Sequence, residues 1–410
     1  MNLKFIHGGV CASKNFLANG IHCGIRKDKN KKDLALIFSE VPAHSAAVYT
    51  KNLVKGAPLI VTKEHIKINN GISQGIICNS GNANTCNADG IEIAEAMANL
   101  VANELNITPE NILIGSTGVI GQKLNIEPIK NNIHELVKNL NHSPEASDSA
   151  ANAIMTTDTQ KKEIAAEFEI NNKICHIGGI AKGSGMIHPN MATMLVFLTS
   201  DVNISSECLQ KALSNCIDST FNMISIDGDT STNDMAVILA NGSAQNNLID
   251  SDNDDFKIFC SALNTILTKL SRMIAADGEG ATKLLECNIF NANDLNTARI
   301  CAKSVICSSL FKAAMFGADA NWGRVLCALG YSGADIDINK IDVEFESRAG
   351  KIKVCENGAG LDFSEETAKK ILNENEIIIN INLNSGNYAA TAWGCDLTYD
   401  YVKINGSYRS

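Results

Sequence analysis

All eight histidines of this 410-residue chain lie at or before position 188, so the second half must do any chemistry without one. Other common equipment is missing too. No run of about 18 apolar residues is present to span a bilayer. The 14 cysteines form no CxxC pair and HExxH does not occur, which leaves zinc without a ready ligand set. There is no Walker loop, and Gly278-Glu279-Gly280 follows a helical stretch where a dinucleotide fingerprint would follow a strand. GxSxG is absent; Gly183-Ser184-Gly185 is a fragment of it, and a Ser-His-Asp triad stays open only for want of a contrary sign. Positive charge is short as well. With 35 Lys and Arg against 45 Asp and Glu, the net charge of −10 offers no basic face to nucleic acid. The one basic cluster, KDKNKK at 27–32, is broken by Asp and Asn and reads as a solvated loop. The start, MNLKFIHGGVCAS, has no sustained apolar stretch ahead of a small-residue cleavage site. Together these absences predict a cytoplasmic protein with reduced, buried cysteines, no resident metal or cofactor, and no nucleic-acid or membrane partner.

What is present is the composition of a packed enzyme: 45% hydrophobic and 20% charged residues, over a length that suits one large or two moderate domains. Strand-like runs occur at 34–39, 45–50, 75–78, 111–115 and 193–200, with helical spacing at 91–105 between them. The longest predicted helix covers 254–276 and opens on acidic residues suited to a helix N-terminus. The feeding stretch IDSDNDDF lacks the glycine and closing glutamate of a calcium loop. From about residue 290 the texture shifts to a helix at 304–316, short alternating strands near 341–355, and a helix opened by Asp362 with Glu365 three residues on. The runs 376–384 and 387–394 read as antiparallel strands. The expected division is a main catalytic domain over 1–289, a smaller α+β domain over 290–400, and a polar tail over 401–410.

Two stretches carry possible chemistry. In KGSGMIHPNMATML (182–195) a glycine- and proline-broken loop feeds a buried strand through Ala192-Thr193. A threonine there is either an ordinary buried residue or a nucleophile activated by its own α-amine, which exists only if the preceding bond is cut. In ILIGSTGVIG (112–121) a strand ends on Thr117-Gly118, whose hydroxyl and backbone N–H could converge on an oxyanion, or could simply form a tight turn.

Both stretches resemble those of the ornithine acetyltransferase family, the self-cleaving bifunctional enzymes of arginine biosynthesis. The resemblance extends, in order, through NSGNANTCNADG (79–90), STGVIG (116–121), TTDTQKK (156–162), DGDTSTND (227–234), AADGEGATK (275–283), GADANWGR (317–324) and YVKINGSYRS (401–410). GADANWGR departs from the usual GRDPNWGR, away from the expected reaction centre. The resemblance implies an α/β (α+β) fold, a layered sheet-and-helix sandwich of the self-cleaving N-terminal-nucleophile type. It implies cleavage of Ala192-Thr193 into an α chain, 1–192, and a β chain, 193–410, with Thr193 as the acyl-carrying nucleophile. It assigns Thr117 and Gly118 to the oxyanion hole, and Thr159, Lys182, Thr193, Glu279, Asn405 and Ser410 to substrate binding. The implied reaction is ping-pong transfer of acetyl from N-acetylornithine to glutamate, with acetyl-CoA as a further donor and two α and two β chains per assembly. The rivals are an aminopeptidase or amidase of the same fold, and an uncleaved amino-acid-binding protein.

Overall fold

A computed structural model describes residues 3–188 and 194–407. The chain divides into two compact units, one of residues 1–183, 190–218 and 230–270, the other of 184–189, 219–229 and 271–410.

The first unit is built on a nine-stranded sheet. The runs at 34–39 and 45–50 are not separate strands but one strand, Leu34–Tyr49, that serves two partners. Its first part pairs with Phe16–Ile21 and Ile72–Asn82, its last part with Met235–Ala240. The register shifts between Phe38 and Ala43, across Pro42, which has no N–H to give to a ladder. Alternation along this strand then sorts its side chains. Ala35 and Ile37 join Cys78, Leu113, Ile180, Leu195, Phe197 and Val237 in one apolar cluster. Leu34 and Leu36 join Ile77, Ile112 and Ile114 in a second cluster, beneath Ala94, Met97, Ala98 and Val101 of the helix Gly90–Leu105. One face of the sheet therefore packs on the helix Pro144–Ile154, which adds Ala146, Ala150 and Ile154 to the first cluster, and the other face packs on helices through the second, a layered α/β arrangement. Leu195–Ser200 and Met235–Ala240, both buried throughout, lie parallel at its centre.

The helix Asp254–Ala276 has the predicted bounds. The longest segment of the second unit begins within it, at Ser271, ahead of the change of texture near 290, because Leu284–Ala292 is an inner strand of the second unit's sheet. That sheet has seven strands. Glu376–Asn382 and Tyr388–Cys395 run in opposite directions but do not pair with each other. Leu284–Ala292 lies between them, parallel to the first and antiparallel to the second. The link 383–387 crosses the end of that strand too closely for a side chain: a Cβ on Gly386 would stand 2.2 Å from the Ala292 carbonyl oxygen. The predicted helix at 304–316 is two, Leu295–Cys307 and Ser309–Phe316, since Ser308 closes the first and caps the second by accepting from Phe311 N–H at 3.2 Å. Likewise Ser364, not Asp362, caps Glu365–Leu372. Tyr399–Gly406 is helical.

Candidate active site

In the first unit the STGVIG stretch ends the strand Ile112–Val119, which lies parallel to Ile72–Asn82. Gly118 has φ +133°, and a Cβ there would sit 2.3 Å from the Gly81 carbonyl carbon, so only glycine fits. The ladder is irregular at this point, with Asn82 set against both Thr117 and Val119. A buried polar network fixes the irregularity. Ser116 Oγ donates to Asn79 Oδ1 at 2.6 Å, and Asn233 Nδ2 donates to Ala83 O and Ser116 O at 2.6 and 3.0 Å. Three sequence motifs thus meet at one strand end.

Thr117 is buried, and its hydroxyl accepts from Lys182 Nζ at 3.0 Å. Lys182 ends the strand Lys173–Lys182. Gly183, next in the chain, donates its N–H to Asp158 Oδ1 at 2.8 Å, and the same oxygen accepts from buried Lys162 Nζ at 2.6 Å. Burial pushes the Asp158 carboxyl up, but the Lys162 and Lys182 ammoniums, with hydrogen bonds from Lys162 and the Thr156 backbone, outweigh it and hold it at about 2. Thr159 is exposed, in the turn that carries Asp158. Asp234 is buried at the head of Met235–Ala240, whose first N–H donates to Met194 O at 2.8 Å. Among the described residues Asp234 Oδ2 has no hydrogen-bond partner. Burial raises this carboxyl well above the ordinary range, against the pull of the Lys182 charge and of bonds from Ser231.

In the second unit, Glu279 is buried in a turn between Gly278 and Gly280. Asn405 Nδ2, on the helix Tyr399–Gly406, donates to Glu279 Oε2 at 2.7 Å. Glu279 N–H donates to Ser184 O, and Ser184 Oγ to Asp277 O, each at 2.8 Å. A Cβ on Gly185 would lie 2.3 Å from Glu279 Oε2, so the carboxylate lies against bare backbone. Burial pushes the Tyr401 phenol up, and the carboxylates of Asp227, Glu279 and Asp229 push it further.

Of the sequence-predicted residues, Lys182 and Thr117 are therefore in direct contact with Gly118 adjacent, and Glu279 and Asn405 are in contact with each other. Ala192, Thr193 and Ser410 lie outside the described residues. Sequence reasoning missed Asp158, Asp227 and Asp234. All three sit inside the motifs TTDTQKK and DGDTSTND, and their place in those ordered motifs was the available signal. Chemically, an ammonium and a hydroxyl at a strand end can stabilise a developing oxyanion, and a buried carboxylate with an amide can receive an amino acid's polar ends. Among the described residues no group of three or more His, Cys, Asp or Glu is placed to hold a metal ion, and no helix is long and apolar enough to cross a membrane.

A family model described as the ArgJ family matches residues 17–410. The arginine biosynthesis bifunctional protein ArgJ 1 of Clostridium acetobutylicum is 52% identical over 396 residues, 96% of each chain. The ArgJ protein of Caldanaerobacter subterraneus is 49% identical over 409 residues, 100% of each chain. Among solved structures, the Bacillus halodurans arginine biosynthesis bifunctional protein argJ is 44% identical with a TM-score of 0.49, over 51% of this chain and 97% of that one. The Mycobacterium tuberculosis ornithine acetyltransferase complexed with ornithine is 34% identical with a TM-score of 0.43, over 47% of this chain and 100% of that one.

Proposed function

Because the chain belongs to the ArgJ family and is an acyltransferase of arginine biosynthesis, we propose that it cuts itself at Ala192-Thr193 and carries acetyl on Thr193. The observation that carries this reading is the strand end at which Gly118 follows a Thr117 hydroxyl 3.0 Å from Lys182 Nζ. A hydroxyl that accepts from an ammonium keeps its own hydrogen to donate elsewhere. Thr117 O–H and Gly118 N–H are then the donors to the oxyanion of each acyl step.

In self-cleavage the Thr193 hydroxyl adds to the Ala192 carbonyl and the C–N bond breaks. The resulting ester is hydrolysed, and the products are 1–192, ending in a carboxylate, and 193–410, beginning with a free amine. That α-amine, with an ordinary pKa of about 7.7–8.0, serves as the base that takes the Thr193 hydroxyl proton. The hydroxyl then attacks the acetyl carbonyl of N-acetylornithine, and ornithine leaves carrying the proton. The glutamate amine attacks the acetyl ester in turn, giving N-acetylglutamate and restoring the hydroxyl. Glu279 receives the ornithine side-chain ammonium, while Lys182, Thr159, Asn405 and Ser410 meet the remaining polar groups of the substrate.

We extend the proposal to acetyl-CoA as a second acetyl donor, to an assembly of two α and two β chains, and to a reducing, cytoplasmic setting. The fourteen free cysteines support the last of these. The test is acetyl transfer from N-acetylornithine to glutamate, run with and without acetyl-CoA and against hydrolysis of N-acetylornithine alone. Transfer should exceed hydrolysis. Dominant hydrolysis would make the protein an amidase of the same fold.

A further inference from the structure

The segment 184–188 leads into the Ala192-Thr193 bond, and one carboxylate holds its backbone. Asp227 Oδ2 accepts from Met186 N–H at 2.6 Å, and Oδ1 accepts from Ile187 N–H at 2.9 Å. Oδ1 also takes Asp229 N–H at 3.2 Å, which fixes the carboxylate's own loop. The gripped backbone is not in a conformation it would choose freely: Met186 has φ +55°, a left-handed value that a methionine seldom adopts. Neighbouring contacts complete the hold. Ile226 N–H donates to Ile187 O at 2.7 Å, and His188 Nδ1 lies 3.1 Å from Ser225 Oγ.

We propose that Asp227 is a positioning residue. Its two oxygens fix the 186–187 backbone that presents the Ala192-Thr193 bond for self-cleavage. The inference rests on the self-cleavage proposed above. A carboxylate suits the task because two successive N–H groups meet two oxygens that both accept, in charge-assisted bonds. An asparagine offers one accepting oxygen and turns an NH2 group toward the other N–H. After cleavage the same carboxylate, now in 193–410, still grips residues 186–187 of the other piece.

The experiment follows processing of the full chain by intact mass, in wild type, D227N and S308A, with thermal melts alongside. D227N should fold and yet convert to 1–192 and 193–410 about tenfold more slowly, as expected for lost charge-assisted bonds to a strained segment. S308A, which loses a helix cap elsewhere in the same unit, should melt lower but process at the wild-type rate, separating positioning from general stability. Wild-type processing in D227N overturns the proposal, and so does equal slowing in S308A. Should D227N not fold, D227E makes the same comparison, since it keeps the charge but moves the oxygens. A wild-type chain that is never cleaved refutes the self-cleavage reading itself, whatever the variants do.

Discussion

Asp158 shows how one buried side chain sets the geometry of the next. Its carboxylate neutralises Lys162, whose side chain is 1% exposed, and anchors the backbone immediately after Lys182. Removing the charge takes from buried Lys162 its carboxylate partner, so D158N should cost about 3–5 kcal/mol of stability in urea unfolding. Because the folded carboxyl is held at about 2, below its ordinary 3.8, the contribution is complete above the ordinary value. It is lost as pH falls from about 4 through 2, so the gap between wild type and D158N should narrow over that window. For Glu279, replacement by Gln removes the charge while keeping an acceptor. E279Q should raise KM for N-acetylornithine about tenfold with a smaller change in kcat, and an unchanged KM would remove Glu279 from ammonium recognition. At this scale the motifs were largely readable. Thr117, Gly118 and Lys182 stand together, as do Glu279 and Asn405, because glycines in the sequence mark where backbones approach too closely for any other residue. Asp234 was not readable. Nothing in the spacing of DGDTSTND tells that this acid, among three, is the buried one.

Elements were legible where local pattern and tertiary placement agree. The helix Asp254–Ala276 kept its predicted bounds, and Gly90–Leu105 differed by one residue, since apolar side chains at helical spacing dictate both. The pattern failed where a single side chain redirects the chain. Pro42 bends one strand without ending it, and Ser308 splits one helix into two. Glu376–Asn382 and Tyr388–Cys395 read as antiparallel strands, and they do run in opposite directions, but they are not neighbours in the sheet. The intervening strand comes from 284–292, about a hundred residues earlier, and such pairing leaves no local trace. The strand end at Gly118 yields a prediction of its own. G118A places a methyl 2.3 Å from the Gly81 carbonyl carbon, so the ladder must open there. Both self-cleavage and acetyl transfer should fall by at least about a hundredfold in any G118A that remains folded, as for loss of an oxyanion donor, and intact mass with a transfer assay checks it.

For the molecule as a whole, the composition was a sound guide to class and the chain order a poor guide to units. The second unit takes 184–189 and 219–229 from the interior of the chain, segments too short to declare a core of their own. One of them leads directly into Ala192-Thr193, which ties the fold's division to the proposed cleavage. If the Thr193 amine is the base, the acetyl-transfer rate should fall on acidification as that amine takes up a proton, and a flat profile well below neutrality would contradict it. The central claim, that the chain makes its own nucleophile by cutting one bond, is tested most directly by intact-mass analysis of purified wild type and T193A. The account predicts two wild-type species matching 1–192 and 193–410, the second beginning with Thr193, and one uncut 410-residue species for T193A. A single uncut wild-type species that still transfers acetyl to glutamate, or a cut at any other bond, would contradict it.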